Sequence, residues 1–317
     1  MKDKIFVALS TFAAEDSRPL DLLKSSGYDY SINMSGKRIS PQEILRDAAD
    51  ATVILAGVEP YDSETIMQLQ SLRCISRCGV GVDSINLGVA KSRGIVVTNT
   101  PTIPIDAVAE LALTMFLALS RNIRVQSNLV QARRWERLST HLLSGRTVGI
   151  IGLGRIGQRV AQLCQAFNAK VIAYDPMVDN SRVKQLGEIL VTKEKLLKES
   201  DIISLHASKN DDQPIILGVK EFFIMKKGVL IVNLARGEMI DENALIDSLK
   251  SGHVAGAGLD VFSKEPYIGP LCDFEQVILT PHTATLAVET RVAMEMQCLE
   301  NALDFLKGSV SPDRQVI

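Results

Sequence analysis

Residues 148–167 read VGIIGLGRIGQRVAQLCQAF: an apolar, β-branched run, then glycines at 152, 154 and 157, then a segment with helical spacing. A strand turning into a helix through G-x-G-x-x-G gives each glycine its own task. Gly152 makes the tight turn, Gly154 lets a pyrophosphate approach the backbone, and Gly157 lets the helix pack closely on the strand. The helix N-terminus adds N–H donors and a partial positive charge, so Arg155 and Ile156 are expected to present their amides to phosphate oxygens. Alone the pattern is weak, because glycine-rich turns serve many loops for backbone reasons. It is strengthened by KVIAY at 170–174, which runs into Asp175, eighteen residues past Gly157. An acid there can accept hydrogen bonds from a ribose 2′-hydroxyl and repel a 2′-phosphate. An aspartate capping the turn before Pro176 is the plain alternative. The expectation is dinucleotide binding, with NAD preferred to NADP.

Outward from this turn the chain alternates strand-like and helix-like segments. VGII and KVIAY are followed by DIISL, VLIVN, VAGAGL and VILT, and a similar series (IFVAL, TVILA, CISR, IVVT) fills residues 4–98. Such alternation signals βα units around parallel sheets. Pro101 and Pro104 in NTPTIPI, residues 99–105, interrupt both helix and central strand and suggest a domain crossing. The 285–307 stretch reads as one helix able to pack back on the first series. The expected fold class is α/β with two parallel-sheet domains, the second inserted into the first: residues 1–98 plus 286–317, and residues 99–285.

With 317 residues and 46% hydrophobic content, two cores can be filled. A net charge of −2 supplies no basic footprint, so neither nucleic acid nor an anionic membrane is an expected partner. The most apolar helix-like run, 107–119, is shorter than the roughly 20 residues of a membrane span, and the opening MKDKIFVALSTF reads as a buried strand, not a signal peptide. Cys74, Cys78, Cys164, Cys272 and Cys298 form no C-x-x-C pair, which points to reduced thiols in a cytoplasmic protein and to no metal site.

Three polar side chains follow strands of the second series: Arg236 after VLIVNLA, Glu265 after AGLDVFSK and His282 after VILTP. Ligands of open parallel sheets bind at the carboxyl ends of strands, so these positions converge. Hydride transfer to a 2-oxo acid needs a cation for the carboxylate and carbonyl and a proton donor for the developing hydroxyl. Arg236 suits the first task, being permanently charged and bidentate. His282 suits the second, with Glu265 fixing its tautomer. Singly, each has an ordinary alternative: a solvated arginine, a Glu-Pro turn, a structural histidine.

Together these segments resemble the D-isomer-specific 2-hydroxyacid dehydrogenase family. The motifs stand as SRCGVGVDSINL at 76–87, GLGRIGQ at 152–158, YDP at 174–176, NLARGEMIDENAL at 233–245, GLDVFSKEP at 258–266 and TPHTA at 280–284. The resemblance implies two Rossmann/flavodoxin-like domains, the NAD-binding one inserted into the substrate-binding one, with hydride transfer between NAD and a small D-2-hydroxy or 2-oxo acid. It places the catalytic trio on Arg236, Glu265 and His282. It assigns substrate contacts to Arg77, Val80, Gly81 and Arg236, further cofactor contacts to Ala207, Ala235 and Asp260, and a homodimer contact to the 120–144 stretch around Trp135.

The nearest look is to short phosphoglycerate dehydrogenases, with three departures. Ala56–Gly57 stands where well-studied members have Arg-Ser, which removes a phosphate-binding cation and leaves Arg77 as a candidate substitute. His206-Ala207-Ser208 replaces the usual H-x-P, and with the sequence ending at Ile317 the regulatory domain of longer members is expected to be absent. Candidate substrates therefore include 3-phosphoglycerate but extend beyond it. Two alternatives remain at this point: an NADH-sensing corepressor-like protein, and a dehydrogenase of phosphite-type anions.

Overall fold

The strands of both series are buried on both faces, which is why they read as continuous apolar runs instead of alternating ones. The computed structural model describes residues 3–187, 189–208 and 215–317. Its contacts divide the chain into two units, residues 1–104 with 286–317 and residues 105–285.

The first unit runs β1 (Lys4–Val7), α1 (Arg18–Ser25), β2 (Asp29–Ile32), α2 (Pro41–Asp47), β3 (Val53–Ala56), α3 (Ser63–Gln68), β4 (Cys74–Arg77), α4 (Leu87–Ser92) and β5 (Val96–Thr98). The sheet is parallel with order β2-β1-β3-β4-β5. Local chemistry sets the helix starts. Ser40 and Glu43 form a reciprocal capping box with Pro41 in the first turn of α2, while Asp62 and Asn86 cap α3 and α4. Alternate residues face opposite cores: Phe6, Ile54 and Ile75 one way, Ile5, Val53 and Leu55 the other.

The second unit runs α5 (Ile105–Ser120), α6 (Ile123–Gln131), β6 (Thr147–Ile151), α7 (Arg155–Ala166), β7 (Lys170–Tyr174), α8 (Lys193–Glu199), β8 (Ile202–Leu205), α9 (Val219–Ile224), β9 (Val229–Asn233), α10 (Glu242–Lys250), β10 (Val254–Leu259) and β11 (Val277–Leu279). Its parallel sheet has the order β11-β10-β9-β8-β6-β7. A single parallel bridge from Ala173 to Leu190 extends the β7 edge. The order reverses beside β6, and the crevice at such a switch point is where open α/β sheets take ligands. Helix α5 and α7 cover one face through Ala112, Met115, Phe116, Val160 and Ala161; α8, α9 and α10 cover the other.

The final helix, α11 (Val288–Leu306), completes the first unit by packing Met294, Cys298, Leu299 and Ala302 on β1, β3 and β4. It begins three residues later than the expected 285 because residues 283–284 are held by Asp260 of the second unit.

One further expectation is corrected. The crossing lies after Pro104, not at residue 99: the Asn99 N–H donates to Arg314 O at 3.0 Å, and Thr100 exchanges hydrogen bonds with Gly79, which ties 99–100 to the first unit. The chain end also returns antiparallel along β5, with Val316 N–H donating to Val97 O at 2.7 Å. Among the described residues no helix is long and apolar enough to cross a membrane.

Candidate active site

The glycine turn follows β6 at the switch point. Gly152 has φ +94°, and a Cβ there would lie 2.3 Å from Ala207 N, so the turn is pressed against the backbone that follows β8. A Cβ on Gly157 would stand 2.1 Å from Gly152 O, which fixes the start of α7 against the turn. Gly154 is the opposite case: a Cβ there meets nothing within 4 Å, and the residue is exposed. The first turn of α7 carries no side-chain cap, with Arg155 exposed and Ile156 half-buried. An open glycine ahead of an uncapped, 12-residue helix is what a pyrophosphate requires.

Asp175 does two jobs in this structure. Its Oδ2 accepts the Leu153 N–H at 2.7 Å and its Oδ1 accepts the Met177 N–H at 2.8 Å. The turn-capping alternative is therefore realised, and the same carboxylate braces the glycine turn. Each oxygen keeps a lone pair for a ribose hydroxyl. His206, which ends the β8 segment, is neutral: burial pushes its pKa down to about 4, and its Nε2 lies 2.8 Å from Ser204 Oγ. Ala207 is half-buried and Ala235 nearly buried.

Arg236, Glu265 and His282 follow β9, β10 and β11, which are neighbours in the sheet. Asn233, 1% exposed, folds the turn that presents Arg236: its Nδ2 donates to Arg236 O at 2.8 Å and its Oδ1 accepts the Ala235 N–H at 3.0 Å. Glu265 Oε1 accepts the Phe262 N–H at 3.2 Å, and its Oε2 lies 3.0 Å from His282 Nδ1. That contact requires the Nδ1–H to donate to the carboxylate, which leaves Nε2 as the ring nitrogen outside the pair. Both side chains are about half exposed, 47% and 40%, so the pair contributes little stability and chiefly orients the ring.

His282 sits at φ +55°, a conformation that non-glycine residues hold only when their surroundings enforce it. The enforcing group is Asp260. Its carboxylate is fully buried and accepts from Thr280 Oγ1 at 2.6 Å, from Thr283 N–H at 2.8 Å and Thr283 Oγ1 at 3.2 Å, and from Ala284 N–H at 2.9 Å. Its carbonyl accepts the His282 N–H at 2.9 Å. The resemblance assigns Asp260 to the cofactor; in this conformation its carboxylate is enclosed and anchors the histidine loop.

In the first unit, the GVG turn at 79–81 begins at Gly79, φ +139°. Gly79 N–H donates to Thr100 Oγ1 at 2.9 Å, and Asn99 Nδ2 donates to Val80 O at 2.8 Å. Val80 is exposed, Gly81 half-buried, and Arg77 half-buried with its Nη1 donating to Cys78 O. Asn99, Thr100 and the anchoring role of Asp260 were not anticipated, since each acts through loops distant in sequence; Asn233, which folds its own turn, was not anticipated either. Only the Asp in GLDVF and the Asn in VLIVN, polar residues closing apolar strands, hinted at them.

The sequence profile of the D-isomer specific 2-hydroxyacid dehydrogenase, NAD binding domain, matches residues 113–284. A glyoxylate reductase of Thermococcus litoralis is 37% identical over 327 residues, covering 99% of this chain and 96% of that one. The chain belongs to the D-isomer specific 2-hydroxyacid dehydrogenase family. A D-3-phosphoglycerate dehydrogenase of Archaeoglobus fulgidus is 36% identical over 91% of this chain but only 55% of its own length, so the chain spans about half of that relative. The crystal structure of a D-lactate dehydrogenase from Aquifex aeolicus, complexed with NAD and lactic acid, superposes with a TM-score of 0.85 at 27% identity over 97% of this chain and 96% of that one. The second unit, with its open glycine turn, is thus the family's NAD-binding domain.

Proposed function

We propose that the protein is an NAD-dependent dehydrogenase of small D-2-hydroxy acids, working in reverse as a 2-oxo acid reductase. The observation that carries this reading is the His282–Glu265 contact on a loop whose backbone is held by a buried carboxylate. When bound, NADH supplies the hydride to the substrate's C2. Arg236 holds the carboxylate and polarises the carbonyl, the backbone amides of Val80 and Gly81 bind the carboxylate, and His282 Nε2–H gives its proton to the carbonyl oxygen as it becomes a hydroxyl. In oxidation the neutral ring takes that proton back. Gly152, Gly154, Arg155, Ile156 and Gly157 cradle the pyrophosphate, and Asp175 receives the adenine ribose.

Exposed Trp135, 81% accessible, with Leu142 at 68%, supports a homodimer contact in the 120–144 stretch. The free thiols fit a reducing, cytoplasmic compartment. The reading is tested by NADH consumption with glyoxylate, hydroxypyruvate and pyruvate. Turnover of at least one supports it; tight NADH binding without turnover of any would instead favour a sensing protein.

Asp175→Ala is expected to weaken NADH more than NADPH, narrowing cofactor preference by about tenfold or more, because it removes both the ribose acceptor and the charge that repels a 2′-phosphate. Kinetics with both cofactors measure the ratio. An unchanged ratio would confine Asp175 to the turn-bracing contacts described above.

A further inference from the structure

The 79–81 turn of the first unit is braced by residues far from it in sequence. A trans peptide unit points its C=O and its N–H in opposite directions, so a hydrogen bond that holds the carbonyl also aims the amide of the same unit. Val80 N–H shares its unit with Gly79 O, and Gly81 N–H shares its unit with Val80 O. Both carbonyls are held: Gly79 O accepts the Thr100 N–H at 3.1 Å, and Val80 O accepts Asn99 Nδ2 at 2.8 Å. The Thr100 N–H is aimed in the same way, because its own unit carries Asn99 O, which accepts Asn301 Nδ2 at 3.0 Å. Asn301, on α11, is 2% exposed, and its Oδ1 accepts Arg314 Nη1 at 3.3 Å. A cation on one side and a carbonyl on the other allow this amide only one orientation. Arg314 is placed in turn by the return of 314–317 along β5, and its own carbonyl accepts the Asn99 N–H at 3.0 Å.

We propose that Asn99, Asn301 and Arg314 are positioning residues of the substrate turn, which aim the Val80 and Gly81 amides at the substrate carboxylate. The inference rests on the dehydrogenase reading above and adds what holds its carboxylate-binding turn in shape. Every link toward Val80 donates in one direction: Arg314 to Asn301, Asn301 to the 99–100 peptide, and that peptide to the 79–80 peptide, whose N–H meets the anion. Dipoles in such a row polarise one another, and the guanidinium at the far end adds its charge in the same direction. Donors fixed beforehand cost no reorganisation when the anion arrives. Because the turn meets the carboxylate and not the reacting carbonyl, it holds ground state and transition state alike, so its loss falls on KM and spares kcat.

The test measures kcat and KM for glyoxylate, hydroxypyruvate and pyruvate, with NADH affinity alongside, in Asn99→Ala, Asn301→Ala and Arg314→Met. Asn99→Ala removes only the clamp on Val80 O, since both main-chain bonds of residue 99 remain, whereas Asn301→Ala removes the link behind Thr100. Each is expected to raise KM about tenfold, the scale of a weakened hydrogen bond to a charged group, with kcat and NADH affinity within about threefold of wild type. Arg314→Met, which keeps the main-chain bonds and loses the charge, is expected to raise KM about threefold. A merely structural role reads differently, because a smaller folded fraction lowers apparent kcat without moving KM. Asn99 and Arg314 are only half-buried, so their variants carry the test even if Asn301→Ala does not fold. Unchanged KM in folded Asn99→Ala and Arg314→Met, or a loss confined to kcat, would overturn the proposal while leaving the dehydrogenase reading intact. Turnover of none of these acids by wild-type protein would remove that reading and this proposal with it.

Discussion

His282→Ala is expected to lower kcat for 2-oxo acid reduction by a factor of about 10²–10⁴, the range typical of a lost general acid or base, while NADH binds nearly as tightly as before. The two readouts separate because the groups lie on different strands. The glycine turn and the start of α7 follow β6, whereas His282 follows β11. Removing the imidazole deletes the proton donor at the carbonyl oxygen, and nothing on the 280–284 loop replaces it: Thr280 and Thr283 already donate to Asp260. Steady-state kinetics beside fluorescence titration of NADH make the comparison. A variant that keeps kcat within a few-fold of wild type would remove His282 from the chemistry.

Asp260→Ala is expected to be the most destabilising single change, on the order of 4 kcal/mol, because buried donors left without an acceptor cost about 1–3 kcal/mol apiece. Two main-chain N–H groups, those of Thr283 and Ala284, lose their acceptor, and two threonine hydroxyls lose theirs. For a unit of this size the melting temperature should fall on the order of 10 °C. The functional consequence follows from the same bonds. Without the anchor His282 loses the left-handed backbone that sets its ring on Glu265, so Asp260→Asn, which keeps one oxygen acceptor, should fold yet show a lower kcat. Calorimetry with kinetics on both variants checks this. Wild-type melting in Asp260→Ala would contradict the anchoring role.

The parts of this molecule legible in its sequence are those whose chemistry is local. All six strands of the second unit announce themselves as apolar runs because helices cover both faces of the sheet. The glycine turn is equally legible, since close approach to Ala207 forces the residue type at 152. Strand β2, DYSI, went unread: it is an edge strand with exposed Asp29 and Tyr30, too polar and too short for a periodicity signal. The antiparallel return of 314–317 along β5 was equally hidden, because pairing with a distant edge leaves no local pattern. The same distinction governs the site. Arg236, Glu265 and His282 stand out by residue type after strands, but Asp260 takes its role from a loop 20 or more residues away. Interactions fixed by register and loop return appear only once the sheet is assembled.

On the proposed reading, this chain moves a hydride onto the C2 of a small 2-oxo acid. Its most direct test is reduction of glyoxylate, hydroxypyruvate or pyruvate with NADH deuterated at the transferring carbon of the nicotinamide, followed by mass spectrometry of the hydroxy acid. Deuterium at C2 of the product is expected with wild-type protein, and a greatly diminished yield of that same labelled product with His282→Ala. Saturable NADH binding with no deuterium in any product would contradict it.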